Sequence, residues 1–279
     1  MIPTSSPSSA TPSTSKPARR RGRLERIPRK IHYVWVGEKP LSAADQRRIE
    51  HWRELHPDYE IKLWNEKNFD IDANFWTREA YRAKNYALVS DIIRIYALRN
   101  EGGIYLDTDV ELLRPLDDLL KYEGFLGFDS SRWANSAIIG SAPNTTWIKK
   151  IWRRYDGTRG AINMATNLKT VYCLAIVARS VYGIQLNGKT QEKDDFVIFE
   201  RHVLAPKHFA TGCLEITPAT RAIHHFASTW QKPLAVQSYR LLYNVLGQKL
   251  AAATVENLVI WYYQLLFKLE DRKLGKQGS

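Results

Sequence analysis

Two aspartates, Asp107 and Asp109, close the run 90–110, which reads SDIIRIYALRNEGGIYLDTDV. Carboxylates two positions apart point to one side of a continuing strand, or reach one ion from a strand-end turn. A hard divalent cation such as Mg²⁺ or Mn²⁺ takes oxygen ligands, needs only one or two protein carboxylates, and keeps positions open for phosphate oxygens. The chemistry that suits this pattern is metal-assisted handling of a diphosphate. A bare Asp-x-Asp is usually a solvated turn. Here it directly follows a short apolar run, Ile104, Tyr105 and Leu106, and a Gly102-Gly103 break, which is where a buried strand delivers ligands.

The elements that must position the pair read as helix, break and strand. Ile92, Ile93, Ile95, Tyr96 and Leu98 recur at three-and-four spacing, one helical face turned to a core. Ser90 stands at an N-cap position, and Gly102-Gly103 ends the helix because glycine accepts a left-handed C′ conformation. Ser90, Asp91 and Arg94 share one flank. At the least, Asp91 and Arg94 form a surface ion pair worth ~0.3–0.5 kcal/mol. The sharper reading sends Asp91 to a sugar hydroxyl and the Arg94 fork to a phosphate.

Upstream, 30–36 reads as the first buried strand. Trp35 lies at its C-terminal end, where ligands of open α/β sheets bind, and is placed to stack on a nucleotide base. A helix over 42–55, a breaker at His56-Pro57-Asp58 and a strand over 59–64 complete a right-handed βαβ unit. Helices over 75–84 and 86–100 feed the strand that carries the aspartates. Strands are expected over 124–128 and 134–140, and a helix with a solvated basic face over 145–155. Asp117 and Asp118 read as first-turn acids of a short helix begun after Pro115, and Asp194-Asp195 as a solvated loop.

Three separated motifs resemble one family. They are the run from Ser90 to Asp109, the upstream Ile31-His32-Tyr33-Val34-Trp35-Val36-Gly37, and the downstream Ile223-His224-His225-Phe226-Ala227-Ser228-Thr229-Trp230. Together they resemble the DXD-containing glycosyltransferases of family 32. That family groups fungal mannosyltransferases with bacterial capsule and lipopolysaccharide sugar transferases, and its core is similar to that of the clostridial glucosylating toxins. The resemblance covers about 27–232. It implies an α/β, GT-A (Rossmann-like nucleotide-diphospho-sugar transferase) domain with a helical C-terminal extension, a UDP-sugar or GDP-mannose donor, Mn²⁺ or Mg²⁺, and retention of anomeric configuration.

By the same resemblance Trp35 stacks on the base, and Ser90, Asp91, Arg94 and Tyr105 belong with Asp107 to the donor site. Asn135 approaches the sugar and Asp129 lines the donor pocket. In the toxins a metal-binding acid, a phosphate-binding serine and a phosphate-binding tryptophan follow at spacings of three and two. Counting back from Trp230 gives Ser228 and nominates His225 as third metal ligand beside Asp107 and Asp109, with His224 the fallback. Between 156 and 200 the resemblance thins, so the acceptor is left open among a glycan, a glycolipid and a protein.

With 279 residues and 44% hydrophobic composition, one domain is expected over 25–235. A Ser/Thr/Pro-rich, then basic, tail over 1–24 precedes it, and C-terminal helices over 236–279 follow, packed on the core or on a membrane surface. The net charge of +12 favours polyanions, including anionic lipid. No apolar run spans a bilayer, and no h-region marks a signal peptide. Cys173 and Cys213 show no metal or redox spacing, consistent with a reducing compartment. The expectation is a cytoplasmic enzyme, with peripheral membrane contact at the inner face as an option and no nucleic-acid partner. Two rivals are another metal-diphosphate enzyme such as a nucleotidyltransferase, and a basic nucleic-acid-binding module.

Overall fold

The computed structural model describes residues 25–130, 133–155, 170–208 and 212–227. The expected tail over 1–24, the C-terminal helices over 236–279, and both Ser228 and Trp230 lie outside the described residues.

The chain opens with β1 (Lys30–Val34), followed by α1 (Ala43–Leu55) and β2 (Glu60–Trp64). Ser42 caps α1 by accepting from the Asp45 amide, as short hydroxylic residues do at an N-cap. Next come α2 (Phe75–Arg82), α3 (Tyr86–Glu101) and β3 (Gly103–Leu106). Asn85 caps α3 by accepting from Leu88 N–H. Ser90 therefore lies inside α3 and is not its cap: the helix is buried on nearly every side, so its apolar pattern does not mark where it starts.

β4 (Val110–Leu112), β5 (Gly124–Gly127) and β6 (Ile138–Ser141) follow, then α4 (Thr146–Trp152) and α5 (Thr170–Tyr182). The strand expected over 134–140 is shortened to β6, with Ala134 held to Phe128 by an isolated bridge. The short helix expected after Pro115 is a 3-10 turn, Asp117–Leu119. Its two acids bind basic partners, Asp117 to Arg29 at 2.8 Å and Asp118 to Arg221 at 2.6 Å. The chain continues through β7 (Gln191–Lys193), β8 (Phe196–Phe199), α6 (Arg201–Leu204) and β9 (Ala222–His224). Asp194 takes a positive φ of 52° in the turn between β7 and β8, and Asp195 pairs with Arg26.

Seven strands form one mixed sheet in the order β2-β1-β3-β6-β5-β8-β7. The β2, β1 and β3 strands run parallel, as expected for crossover helices between strands, while β6 runs antiparallel to both β3 and β5. One core lies under α2, α3, α4 and α5, built on Ile92, Ile93, Trp147, Leu174 and Phe196. A second joins α1, β4 and α6 through Trp52, Leu106, Val110, Leu112 and Leu204. This α/β sheet is the architecture expected for a nucleotide-diphospho-sugar transferase domain.

The Gly-Gly break has a specific cause. Gly102 sits at φ 66°, ψ −163°, a conformation essentially restricted to glycine, and Gly103 at φ 103°. A Cβ on Gly103 would lie 2.8 Å from the Lys30 carbonyl oxygen, so α3 turns into β3 against β1 with no room for a side chain. His32 locks that corner. Its Nε2 donates to the Gly102 carbonyl at 2.7 Å while Nδ1 accepts from the Trp64 indole at 3.1 Å. Burial holds the His32 pKa below the usual imidazole value, so the ring is neutral.

Candidate metal and donor site

β3 ends at Leu106 and the chain folds back tightly. The Asp107 amide donates to Ala137 O at 2.9 Å and the Asp107 carbonyl accepts from Val110 N–H at 3.0 Å. β4 then leaves the main sheet and pairs antiparallel with β9, with Val110 opposite His224. That ribbon brings a distant imidazole to the two carboxylates. Ligand atoms of Asp107, Asp109 and His224 all lie within 4.8 Å of one another. Donors bound at ~2.1 Å on opposite sides of one ion are about 4.2 Å apart, so the three fit a single cation with small adjustment. Two oxygens and one imidazole nitrogen suit Mn²⁺ and do not exclude Mg²⁺.

Each carboxylate is pinned by one oxygen. Asp107 Oδ1 accepts from the Tyr105 hydroxyl at 2.6 Å and meets Arg94 Nη2 at 3.2 Å. Asp109 Oδ2 accepts from the Ala227 amide at 2.7 Å, while Oδ1 faces His224 Nε2 at 3.4 Å. Burial alone would raise the Asp109 pKa, but the His224 ring, the Ala227 N–H and the Arg48 charge outweigh it and lower it to about 2. Burial would likewise lower His224, and Asp109 reverses this, so the imidazole is raised above its ordinary value. Each group thus favours the charged form of the other, and a cation bound here would compete with a proton for the His224 ring.

Arg94 lies under the pair, with its side chain only 5% exposed. Burial opposes its charge, but Asp107, Tyr105 and Asp91 raise its pKa and keep it cationic. Its guanidinium touches Asp91 at 3.0 Å, donates to Ser136 O at 2.6 Å and stands 4.5 Å over the Tyr105 ring. Ser90 Oγ lies 3.0 Å from the Tyr105 hydroxyl. Ser90, Arg94 and Tyr105 therefore support Asp107 from beneath. The phosphate expected for Arg94 would have to displace these partners.

Asn135 stands on the other side of His224, with Nδ2 3.3 Å from Nδ1, and its Oδ1 accepts from Ala137 N–H. Phe226 covers the same imidazole at 4.0 Å between ring centroids. Its backbone is at φ 53°, a strained value for a bulky residue. Asp129, at the end of β5, has its Oδ1 sealed from solvent with no hydrogen-bond partner among the described residues. Burial raises its pKa, and the nearby His224 and Arg201 charges only partly offset this. Trp35 follows β1, half-buried, and its indole donates to Lys39 O at 2.6 Å.

The His225 ring is not brought to the aspartate carboxylates, although its backbone amide donates to Asp109 O at 3.1 Å; just past the end of β9 the ring projects the other way, and its Nε2 meets Glu111 at 2.7 Å. The fallback histidine, His224, is the one beside them. Sequence reasoning also missed that the Arg48 charge acts on the Asp109 carboxylate, because a basic residue on a helix carries no signal until the helix is docked.

Residues 42–126 match the family model of a glycosyltransferase sugar-binding region containing a DXD motif. The chain is 30% identical over 143 residues to Subversion of eukaryotic traffic protein A of Legionella pneumophila, covering 42% of this chain and 22% of that protein. It is 30% identical over 135 residues to Inositol phosphoceramide mannosyltransferase 3 of Schizosaccharomyces pombe, covering 46% of this chain and 36% of that protein. The chain thus spans well under half the length of these curated relatives. Among solved structures, the PaToxG Glycosyltransferase aligns at a TM-score of 0.40 and 15% identity, covering 56% of this chain and 70% of that one. Among the described residues no helix is long and apolar enough to cross a membrane.

Proposed function

We propose, from a DXD-type glycosyltransferase region that holds an Asp–Asp–His cluster, that the chain is a retaining hexosyltransferase moving a sugar from a UDP-sugar or GDP-mannose to a hydroxyl of a glycan, glycolipid or protein. The observation that carries the reading is the convergence of Asp107, Asp109 and His224 at the end of β3. These three would hold Mn²⁺ or Mg²⁺, and a bound ion would supply Lewis-acid stabilisation of the departing nucleoside diphosphate. His224 takes the ligand role that family spacing gave to His225.

The remaining roles follow from position. In the transfer, the anomeric C–O bond to the diphosphate breaks with its electron pair on the leaving group. The acceptor oxygen forms the new bond and gives up its proton to the departing diphosphate. Arg94 and Tyr105 hold the Asp107 carboxylate so that no reorganisation is needed when charge grows on the diphosphate. Asn135 packs against the far edge of the His224 ring and limits its rotation. Asp129, with a sealed and unsatisfied oxygen, suits a sugar hydroxyl, and Asp91 at the edge of the Arg94 network offers a second carboxylate. Trp35 is the base platform, and Ser228 and Trp230 are assigned to the diphosphate from the resemblance.

The test is to supply UDP-glucose, UDP-galactose and GDP-mannose with Mn²⁺ and identify the released nucleotide. Nucleoside diphosphate is expected, and Asp109→Asn should abolish its release with the fold intact. Pyrophosphate release would point to nucleotidyl transfer. Unaltered turnover in the Asp109 variant would remove the basis of the reading.

A further inference from the structure

We infer that Glu66 reads the base of the donor and selects guanine over uracil; the inference rests on reading the site as one that takes a nucleotide-sugar. β2, β1 and β3 lie side by side and parallel, so they present their C-terminal ends along one edge of the sheet, the edge at which ligands of α/β sheets bind. His32 stands opposite Tyr105 in the β1–β3 register, and two residues further on Val34 is level with Asp107. Trp64 stands opposite Val34. At ~4.8 Å per strand, the head of β2 is about 10 Å from Asp107, with the head of β1 between them. A nucleotide with its diphosphate at β3 and its base on Trp35, at the head of β1, turns the pairing edge of that base toward β2.

The turn after β2 is built to hold a carboxylate there. Asn65 Oδ1 accepts from Lys67 N–H at 3.0 Å, Asn68 Oδ1 accepts from Asn65 N–H at 2.9 Å, and Asn68 Nδ2 donates to Leu63 O at 2.7 Å. Glu66, inside this turn, reaches across to the extension of β1. Its Oε1 accepts from Gly37 N–H at 2.5 Å and from the Tyr81 hydroxyl at 2.9 Å. Gly37, two residues past Trp35, sits at φ 88°, and a Cβ on it would lie 2.7 Å from a Tyr86 ring carbon. The Tyr81 and Tyr86 rings stand 5.5 Å apart between centroids. Both donors fall on Oε1, while Oε2 has no hydrogen-bond partner among the described residues, and Glu66 is exposed. An ionised carboxylate only accepts, so its open oxygen selects a ligand edge that carries donors. Guanine offers two adjacent N–H groups on its pairing edge. Uracil offers one, set between two carbonyl oxygens that a carboxylate repels.

Calorimetry on the full chain with Mn²⁺ tests this with GDP, UDP and inosine diphosphate, whose base is guanine without the 2-amino group. Wild type, Glu66→Gln and Tyr81→Phe are compared, with thermal midpoints to confirm folding. Wild type should bind GDP about tenfold more tightly than UDP, and more tightly than inosine diphosphate. Glu66→Gln keeps an oxygen for Gly37 and Tyr81 but loses the acceptor edge, so it should weaken GDP about tenfold, spare UDP, and close the gap between GDP and inosine diphosphate. Tyr81→Phe removes one of the two donors that anchor Glu66 and should narrow the preference for GDP by a smaller factor; it decides the matter if the Glu66 variant does not fold. A wild type that prefers UDP, a Glu66→Gln loss that falls equally on all three nucleotides, or no change in either variant overturns the assignment while leaving the proposed function standing. A wild type that binds none of the three with Mn²⁺ overturns that function, and this inference with it.

Discussion

Replacing Tyr105 by phenylalanine removes one oxygen atom and isolates the support beneath the ion site. The ring would keep its buried packing and its place 4.5 Å under Arg94. What is lost is the hydroxyl that donates to Asp107 Oδ1 at 2.6 Å and lies 3.0 Å from Ser90 Oγ. A hydrogen bond to a charged acceptor is worth about 1.5–3 kcal/mol net. Arg94, already 3.2 Å from the same oxygen, recovers part of that, leaving a stability cost of about 1–2 kcal/mol. The functional effect is larger than the structural one, because removing a group that orients a metal ligand typically costs 10–100-fold in affinity. Titration of Mn²⁺ by calorimetry, with thermal melts at fixed Mn²⁺, reads both effects. A tenfold weaker site reduces the stabilisation at a given Mn²⁺ concentration by about 1.4 kcal/mol. A variant whose melting point falls while its Mn²⁺ affinity stays within twofold of wild type would refute the reasoning.

Two further outcomes follow from the same geometry. His224→Gln should weaken Mn²⁺ binding at least tenfold, whereas His225→Gln, which breaks only the contact with Glu111, should change it less than threefold; the opposite order by calorimetry would restore His225 as the ligand. Stability should also fall on acidification below about pH 6.5, because burial lowers His32 and His56 and the unfolded chain takes up protons that the folded one refuses, at up to about 1.4 kcal/mol per pH unit for each ring. His224 works in the opposite sense, since Asp109 raises it and its contribution is present at low pH and lost as pH rises. His224→Asn should therefore steepen the acid loss, and denaturant melts between pH 7.5 and 5 that show no steepening would contradict the pairing.

The first half of the fold was legible because its elements carry their own punctuation. β1, α1, β2, α2 and α3 fall within a few residues of their expected limits, each bounded by a cap, a breaker or a glycine pair. Ser90 misled because a helix buried all round offers no polar face to mark its first turn, while Asn85, the true cap, follows a positive-φ Lys84 that no pattern announces. The aspartate pair was read correctly as facing a strand end, but the choice between adjacent histidines depended on strand parity. Spacing borrowed from relatives cannot supply that. Only the pairing of Val110 with His224 fixes which imidazole turns toward Asp109. Arg48 was invisible for a related reason: its meaning comes from where α1 docks, a long-range contact with no local signature.

The ribbon of β4 and β9 also governs when the protein becomes competent. It fastens Asp109 to Ala227, 118 residues further along the chain, and closing so large a loop is among the slower events in folding. Until it closes, a molecule with its main sheet already in place offers an ion two carboxylates and no nitrogen. Binding of a cation by all three groups would thus certify that remote parts of the polypeptide have met.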